Sequence, residues 1–287
     1  MRVSDIASML SRILLPIDPS PHSKAAFKYA RGLARAHDAE ITGLMILDTP
    51  EIERAVGHVT PGALEYARKA GRRREGLAHE HIQEQLSAFA TRCGESGVRH
   101  KEVEVQGAPA EMIIGESVFF DVVVIGMETH YHFETSDEPS RTLQEIAGHM
   151  MPPVIAIPLK EYAPESTKHV TIAFGGSRTA ARSVRQFVTL GLFKDAQISI
   201  LCSNPDMDVA NELIAAVTRY MSAHGYGEIA HAWTPGPVIE AMQDQYLEQA
   251  DLVVLGAHAK QGILSFLYGQ VTKFVLNEGS TPVFIAN

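Results

Sequence analysis

Short apolar runs alternate with helical periodicity along the first half of the chain. The runs have the length of buried strands, and between them apolar residues recur three and four positions apart, as on one face of a helix. Predicted strands cover residues 13–17, 41–47, 103–105, 122–125 and 154–157, and predicted helices cover 24–34, 109–119 and 142–149. Strands that alternate with helices predict an α/β fold with a parallel sheet covered on both faces.

The second half of the chain repeats this plan. Its predicted strands cover residues 171–174, 197–201, 229–233, 252–255 and 283–286. Two similar segments, DVVVIG and DLVVLG, begin at Asp121 and Asp251, which are 130 residues apart. Each consists of an acidic residue, a short apolar run and a glycine. Nearly the same offset relates Gly107 to Gly236 and Pro153 to Pro282. A repeat of this length indicates two whole domains, because solenoid units recur every ~20–50 residues.

The first half carries an insertion. Ser20 and Ser177, near the two starts, are 157 residues apart rather than 130, so 27 extra residues lie within about 49–100. The pattern in this segment predicts a loop followed by a lengthened helix. One face of that helix is where we expect a contact between two chains in a homodimer, and it consists of Leu77, Ile82, Leu86 and Phe89. A polar linker with a proline, 160–168, separates the first predicted domain, 1–159, from the second, 160–287.

Charge and composition argue against several classes of protein. The net charge of −9 and the pI of about 5.8 oppose nucleic-acid binding, whose affinity comes from clustered lysine and arginine. One basic run, 68–74, is either a solvated helix face or a site for an anionic partner. Cys93 and Cys202 lie in different halves and predict neither a disulfide framework nor a zinc site. Without a signal peptide or a run of ~18 apolar residues, we expect a cytoplasmic protein with no membrane span.

A glycine-containing segment follows the predicted strand at 252–255. It reads GAHAKQGILSFLYGQV, so that Gly256 ends the strand, a small and basic loop follows, and Gly269 opens a helix. Backbone N–H groups and the helix dipole at such a turn can hold a phosphate. In doubly wound sheets, ligands lie beyond the carboxyl ends of the strands, and Asp18 and Gly126 occupy such ends in the first half.

With these residues the chain resembles a tandem universal stress protein. The resemblance covers nearly the whole chain. It implies two tandem, doubly wound, five-stranded parallel-sheet domains of the adenine nucleotide alpha hydrolase-like type, related by a pseudo-two-fold axis. ATP-binding members of the family carry Gly-x2-Gly-x9-Gly-Ser/Thr here and an aspartate at the end of strand one that contacts adenine. The resemblance therefore implies ATP or AMP as the ligand.

The family resemblance also implies how the halves meet. Single-domain members dimerise through their last strand, and a tandem chain can make the same contact internally. We therefore expect residues 154–157 to pair with residues 283–286, so that the chain forms an intramolecular pseudo-dimer. Both segments are short and apolar, and an uncovered apolar edge would invite aggregation.

The second half keeps two of the four motif positions. These positions are Gly256, Ala259, Gly269 and Gln270. Gly175 stands where the family has the adenine aspartate. The loop contains His258 and Lys260 and no acid between 256 and 277, which suits a phosphate. The candidate ligand contacts are Gly256, His258, Ala259, Gly269, Gln270 and Val271.

The first half keeps Asp18 and also two motif positions. At the family spacing it has Gly126, Thr129, Pro139 and Ser140. Pro139 has no N–H to donate. Four acids of the loop would repel a triphosphate: Glu128, Glu134, Asp137 and Glu138. We therefore expect any nucleotide in the second half, with Asp18, Gly126 and Ser140 as the weaker candidate site.

Metal binding and dedicated catalysis have little support. The first-half loop contains side chains of metal-ligating type, namely His130, His132, Glu134 and Asp137. Histidines beside acids in an exposed loop are more often solvated surface, so no metal is expected. The sequence has neither a Walker A motif nor a Gly-x-Ser-x-Gly turn, and no catalytic residues stand out.

The function that these features favour is a cytoplasmic stress-response protein that acts through protein partners. Its binding of adenine nucleotide is expected to be weak or degenerate, because each half keeps only part of the motif. Two alternatives remain open. One is a slow ATP or AMP hydrolase that uses the second-half loop, and the other is a structural dimer module that binds no nucleotide.

Overall fold

A computed structural model describes most of the chain, and the structural statements below concern the described residues. These are residues 10–56, 64–131, 140–160, 162–227, 229–236, 238–242, 249–256 and 280–287. The strands are β1 Arg12–Ile17, β2 Glu40–Leu47, β3 His100–Gln106, β4 Val122–Gly126, β5 Val154–Ile157, β6 His169–Ala173, β7 Gln197–Ser203, β8 Ile229–Thr234, β9 Leu252–Gly256 and β10 Val283–Ala286. The α-helices are α1 Pro21–His37, α2 Thr49–Val56, α3 Leu64–Glu95, α4 Pro109–Glu116, α5 Thr142–Ile146, α6 Arg178–Thr189, α7 Met207–Ala223 and α8 Val238–Ala241.

The ten strands form one sheet in the order β3-β2-β1-β4-β5-β10-β9-β6-β7-β8. Neighbouring strands are parallel everywhere except at the centre, where β5 and β10 are antiparallel. There Val154 faces Ile285 and Ala156 faces Val283. The predicted pairing of the last strands is confirmed, and it merges the predicted five-stranded sheets into one sheet of ten strands.

The sheet has an apolar core on each face. One cluster lies against α1, α3, α6 and α7, and the other lies against α4 and α5. Both clusters continue across the β5–β10 contact, since successive residues of a strand point to opposite faces. Phe284 belongs to the first cluster and packs edge-on against Phe187 of α6 at 5.7 Å, whereas Ile285 belongs to the second. The two halves of the sheet are therefore joined by side-chain packing on both faces as well as by backbone hydrogen bonds.

The insertion forms α2 and the 32-residue helix α3. Ile82, Leu86 and Phe89 are buried against the sheet, and only Leu77 of the predicted contact face is exposed, at 50%. Gly43 of β2 makes room for the Phe89 ring, which would lie 2.8 Å from an added Cβ atom. This face was expected to meet a second copy of the chain, and that expectation was wrong for three of its four residues. They pack on the chain's own core.

Candidate functional site

Asp18 connects three elements at the carboxyl end of the first half of the sheet. It follows β1 directly, and Ser20 caps the start of α1 by accepting a hydrogen bond from the Ser23 amide. One carboxylate oxygen of Asp18 accepts from the Ser20 amide at 2.7 Å, and the other accepts from the His130 amide at 2.8 Å. The segment after β4 is thereby held against the junction of β1 and α1.

The Asp18 carboxyl is buried together with a tyrosine hydroxyl. Asp18 is 4% exposed, and burial raises its pKa against the opposing effect of the hydrogen bonds from Ser20 and His130. Tyr131 is 3% exposed, and its hydroxyl has no hydrogen-bond partner among the described residues. Burial raises the pKa of Tyr131, and the charge of Asp18 raises it further. This corner of the first half is polar but closed to water.

Gly126 and Gly256 allow a helix to approach the end of a strand. A Cβ atom at Gly126 would lie 2.7 Å from the His22 Cβ and 2.9 Å from the His22 carbonyl carbon, both at the start of α1. At Gly256 it would lie 2.4 Å from the Ala180 nitrogen at the start of α6. Neither glycine has the positive φ of a left-handed turn. Each glycine therefore has a packing role that is independent of any ligand.

The Ser140 hydroxyl belongs to an internal network. Ser140 and Thr129 form an antiparallel β-bridge in which the Ser140 amide donates to the Thr129 carbonyl at 2.6 Å. Their hydroxyl oxygens are 2.5 Å apart, and the Ser140 hydroxyl also lies 2.9 Å from that of Thr142. All three residues are buried. The loop after β4 thus closes on itself at two of the expected phosphate-binding positions.

Ser183 holds the corresponding corner of the second half. Its hydroxyl donates to the Leu255 carbonyl of β9 at 2.7 Å and accepts from the Ala286 amide of β10 at 3.2 Å. Ser177 caps α6 by accepting from the Ala180 amide at 3.2 Å. Ser183 was not among the candidate residues that the sequence motifs indicated. A small polar residue inside an apolar helix face is the signal that could have drawn attention to it.

The family model that matches this chain is that of the universal stress protein family, over residues 9–135 and 229–287. These segments make up more than half of the chain. The chain belongs to the universal stress protein family. The comparison with curated proteins found no match.

Three solved structures are similar to this chain, two of them over nearly its whole length. A universal stress protein from Archaeoglobus fulgidus is 15% identical, covers 96% of this chain and 98% of its own, and has a TM-score of 0.69. A functionally unknown protein from Pseudomonas aeruginosa is also 15% identical, covers 99% of this chain and 94% of its own, and has a TM-score of 0.59. A family protein from Arabidopsis thaliana, solved with AMP bound, is 21% identical, covers 54% of this chain and 95% of its own, and has a TM-score of 0.33. At identities this low, the first two structures show a shared fold and nothing more.

The described part of this universal stress protein includes four of the candidate ligand residues. Asp18, Gly126 and Ser140 lie together at the first-half corner, and Gly256 ends β9 in the second half. His258, Ala259, Gly269, Gln270 and Val271 lie outside the described residues, as do Pro139 and the loop acids Glu134, Asp137 and Glu138. The favoured phosphate loop therefore stays a prediction.

The described residues also bear on metal binding and on the membrane. No group of three or more histidine, cysteine, aspartate or glutamate side chains converges as a metal site within them, and His132, Glu134 and Asp137 fall outside. His130, the remaining member of the predicted cluster, contributes its backbone amide to Asp18. None of the described helices has the length and apolar character needed to span a bilayer.

Proposed function

We propose that this universal stress protein is a cytoplasmic stress-response protein with two Usp domains, 1–159 and 160–287, that acts through protein partners. Its binding of adenine nucleotide, ATP or AMP, is weak or degenerate. The observation that carries the nucleotide part is the strand order. β1 lies between β2 and β4, and β6 lies between β7 and β9, so each half has a switch point of the kind at which doubly wound folds bind ligands.

The second half is the better candidate for the nucleotide. In the first half the carboxylate of Asp18 already accepts two backbone amides, and the hydroxyl of Ser140 is bonded to Thr129 and Thr142. A ligand that used these groups would have to replace buried hydrogen bonds, each worth about 0.5–1.5 kcal/mol. The second-half loop has His258 and Lys260 and no acid up to residue 277. Its charge therefore favours a phosphate.

The test is equilibrium binding of ATP, ADP and AMP to the purified chain, measured by calorimetry. Gly269→Asp should abolish binding, because it places a negative charge where the phosphates would lie, and Ser140→Asp should leave it intact. Circular dichroism would establish that both variants are folded. If Ser140→Asp alone removes binding while the fold persists, the nucleotide lies in the first half and our assignment is wrong.

The same sample separates binding from hydrolysis. Steady release of phosphate from ATP, above a control without protein and lost in Gly269→Asp, would support the slow hydrolase. Saturable binding without release supports the proposed function.

A structural module without nucleotide is the second candidate, and the closed Thr129–Ser140 contact favours it for the first half. It predicts no saturable binding of ATP, ADP or AMP by a chain that is folded and unfolds cooperatively. Binding that Gly269→Asp abolishes would contradict it.

A further inference from the structure

The polar linker between β5 and β6 packs on helix α1 and on the second half of the molecule. We call the surface that it contacts, at Gly32, Ser280 and Asp251, the linker seat. Pro164 packs on Gly32 so closely that an added Cβ atom would lie 2.6 Å from the proline ring. The Tyr162 hydroxyl donates to the Ser280 carbonyl at 2.6 Å. At the end of the linker, Asp251 accepts hydrogen bonds from the amides of Lys168 and His169 at 2.8 and 3.0 Å.

A groove beside α6 is built in the same way as this linker seat, and no residue within the described part of the chain occupies it. Its walls are α6 and the segments before β4 and β5, and its volume is about 670 Å³. Asp121 in this groove accepts hydrogen bonds from the amides of Ser11 and Arg12, both at 2.8 Å, just as Asp251 does at the linker seat. The Met151 carbonyl accepts a hydrogen bond from the side-chain amide of Gln186 at 3.4 Å. Its counterpart at the linker seat is the Ser280 carbonyl, which accepts a hydrogen bond from the Tyr162 hydroxyl.

The repeat spacing relates the two places residue by residue. Met151 and Ser280 differ by 129 positions and Asp121 and Asp251 by 130, the offsets of the repeat in this part of the chain. Thr189 at the end of α6 and Gly32 of α1 differ by 157, as do the two helix caps. The groove on α6 is thus the counterpart of the linker seat on α1, left unoccupied by residues 10–56 and the other described segments.

The open groove is more cationic than the filled seat. Its α6 wall carries Arg178, Arg182 and Arg185, all exposed, where α1 has Pro21, Ala25 and Lys28. Arg182 donates to the Asn287 carbonyl, and neither Arg178 nor Arg185 has an ion-pair partner in the described part of the chain. Such a cluster runs against the net charge of −9. Asp121, the one acid among the described residues that line the groove, accepts hydrogen bonds from two backbone amides.

The rim of the open groove is also more apolar. Met151 and Val118, which line the groove, are 68% and 40% exposed, and Phe119, which follows Val118 in the chain, is 82% exposed. The counterparts in the second half are polar: Ser280, Gln249 and Glu248. Large exposed apolar side chains that adjoin a concave surface are typical of protein interaction sites.

We propose that this groove binds an extended, acidic segment of a partner protein with an aromatic side chain, in the way that the linker lies on α1. The linker shows which side chains such a site accepts, since Tyr162 donates to the Ser280 carbonyl, just before β10, and Glu165 lies beside Gly32. The three arginines of α6 select for acidic residues, and the rim residues cover the aromatic ring. The proposal gives a site to the partner-mediated action proposed above and does not depend on nucleotide.

Thr189 distinguishes the partner segment from the linker. The Pro164 ring occupies the space beside Gly32 into which a side chain would extend. Thr189 has such a side chain, so a proline cannot approach α6 as closely as Pro164 approaches α1. The partner segment therefore has a small residue at this position.

The test uses two peptides derived from the linker, residues 161–167 with blocked ends, one with the native proline and one with Pro164→Ala. Fluorescence anisotropy would measure their affinity for the full chain. The alanine peptide should bind saturably and more tightly than the proline peptide. Arg185→Glu should weaken it about tenfold or more, and Arg219→Glu, the same exchange on the exposed face of α7, should not.

Thr189→Gly supplies the second measurement. It restores the space that Gly32 leaves for Pro164, so the proline peptide should now bind at least as well as the alanine peptide. A nucleotide titration of Arg185→Glu should match that of the parent chain, which keeps this test independent of the nucleotide site.

Four results would overturn the proposal. The first is the absence of saturable binding of either peptide up to millimolar concentration, and the second is equal weakening by Arg185→Glu and Arg219→Glu. A change of oligomeric state in Arg185→Glu would assign the groove to a second copy of the chain. Binding only to a chain that begins at Leu10 would assign it to the chain's own first nine residues.

Discussion

In both halves of the sheet a helix begins against the end of a strand, but different side chains stabilise this contact. At both carboxyl ends a glycine, Gly126 or Gly256, lets a helix start against a strand. In the first half the corner is then held by a buried carboxylate, Asp18, and in the second by a buried hydroxyl, Ser183. What is repeated in the sequence is therefore what the fold requires. If the proposed nucleotide binding holds, its preference for one half comes from the positions that differ, and in the first half those positions close the corner with hydrogen bonds.

The contact shared by both halves should be the most sensitive part of this comparison. Ile285→Lys places a charge in the core at the β5–β10 pair, where Ile285 is 1% exposed. We expect a loss of about 4 kcal/mol or more in the free energy of unfolding, measured with urea. Ile285→Val is the control and should cost about 1 kcal/mol. Val154→Lys, across the pair, should resemble Ile285→Lys. A cost below about 2 kcal/mol would mean that the halves do not depend on each other.

The glycines come next in expected effect. Gly256→Ala brings a Cβ atom to 2.4 Å from a backbone nitrogen, so either the strand or α6 must move, and we expect a loss of about 3 kcal/mol. Gly126→Ala meets His22 atoms at 2.7 and 2.9 Å and should cost about 2 kcal/mol.

Gly76→Ala is the matched control for the glycine variants. It lies in α3 with nothing within 4 Å of the added atom, so it should raise the free energy of unfolding by about 0.5–1 kcal/mol. If the two strand-end variants are as harmless as this control, the glycines are there for a ligand and not for packing.

The strands were the most predictable feature, because their apolar runs and glycine ends carry the signal locally. The DVVVIG and DLVVLG segments became β4 and β9, and the pairing of β5 with β10 followed from the family resemblance. Helix ends were less predictable. The helix predicted at 142–149 ends at Ile146, and the one predicted at 109–119 ends at Glu116, with a 3-10 turn after it.

The site was less predictable for a physical reason. A glycine in the sequence shows that a side chain is missing but not what occupies its space. The sequence around Gly126 suggested a phosphate site, whereas in the structure the start of α1 occupies that space. The bond between the Thr129 and Ser140 hydroxyls depends on loop closure, which local pattern does not encode. Likewise, an apolar helix face has the same sequence pattern whether it packs on a partner protein or on the chain's own sheet. The pattern of Ile82 and Phe89 therefore could not distinguish these two contacts.

Asp18 should make the stability of the two corners differ in its dependence on pH. Burial raises the pKa of this carboxyl in the folded chain above the usual value of 3.8. Between 3.8 and the raised pKa the folded state binds a proton that the unfolded state has lost, so the Asp18 contribution falls as pH rises and stays unfavourable above that window. Asp18→Asn removes this titration.

The measurement is urea unfolding of Asp18→Asn and the parent chain from pH 3.5 to pH 7. The free energy of unfolding of the variant relative to the parent should rise with pH by about 1.4 kcal/mol for each unit by which the folded pKa is raised. Asp251→Asn, the half-exposed acid at the amino end of β9, serves as the control. A difference between Asp18→Asn and the parent that does not change with pH would show that hydrogen bonds fully offset the burial of Asp18.

The helix caps should show the smallest difference between the halves. Ser20 and Ser177 each accept a hydrogen bond from the amide three residues later, at 3.0 and 3.2 Å. Ser20 is 3% exposed, whereas Ser177 is only half-buried. Water can therefore replace the lost acceptor in Ser177→Ala more easily than in Ser20→Ala. We expect urea unfolding to give a loss of about 1 kcal/mol for Ser177→Ala and about 1.5–2 kcal/mol for Ser20→Ala. Equal losses would show that burial at the Asp18 corner adds nothing to the strength of its helix cap.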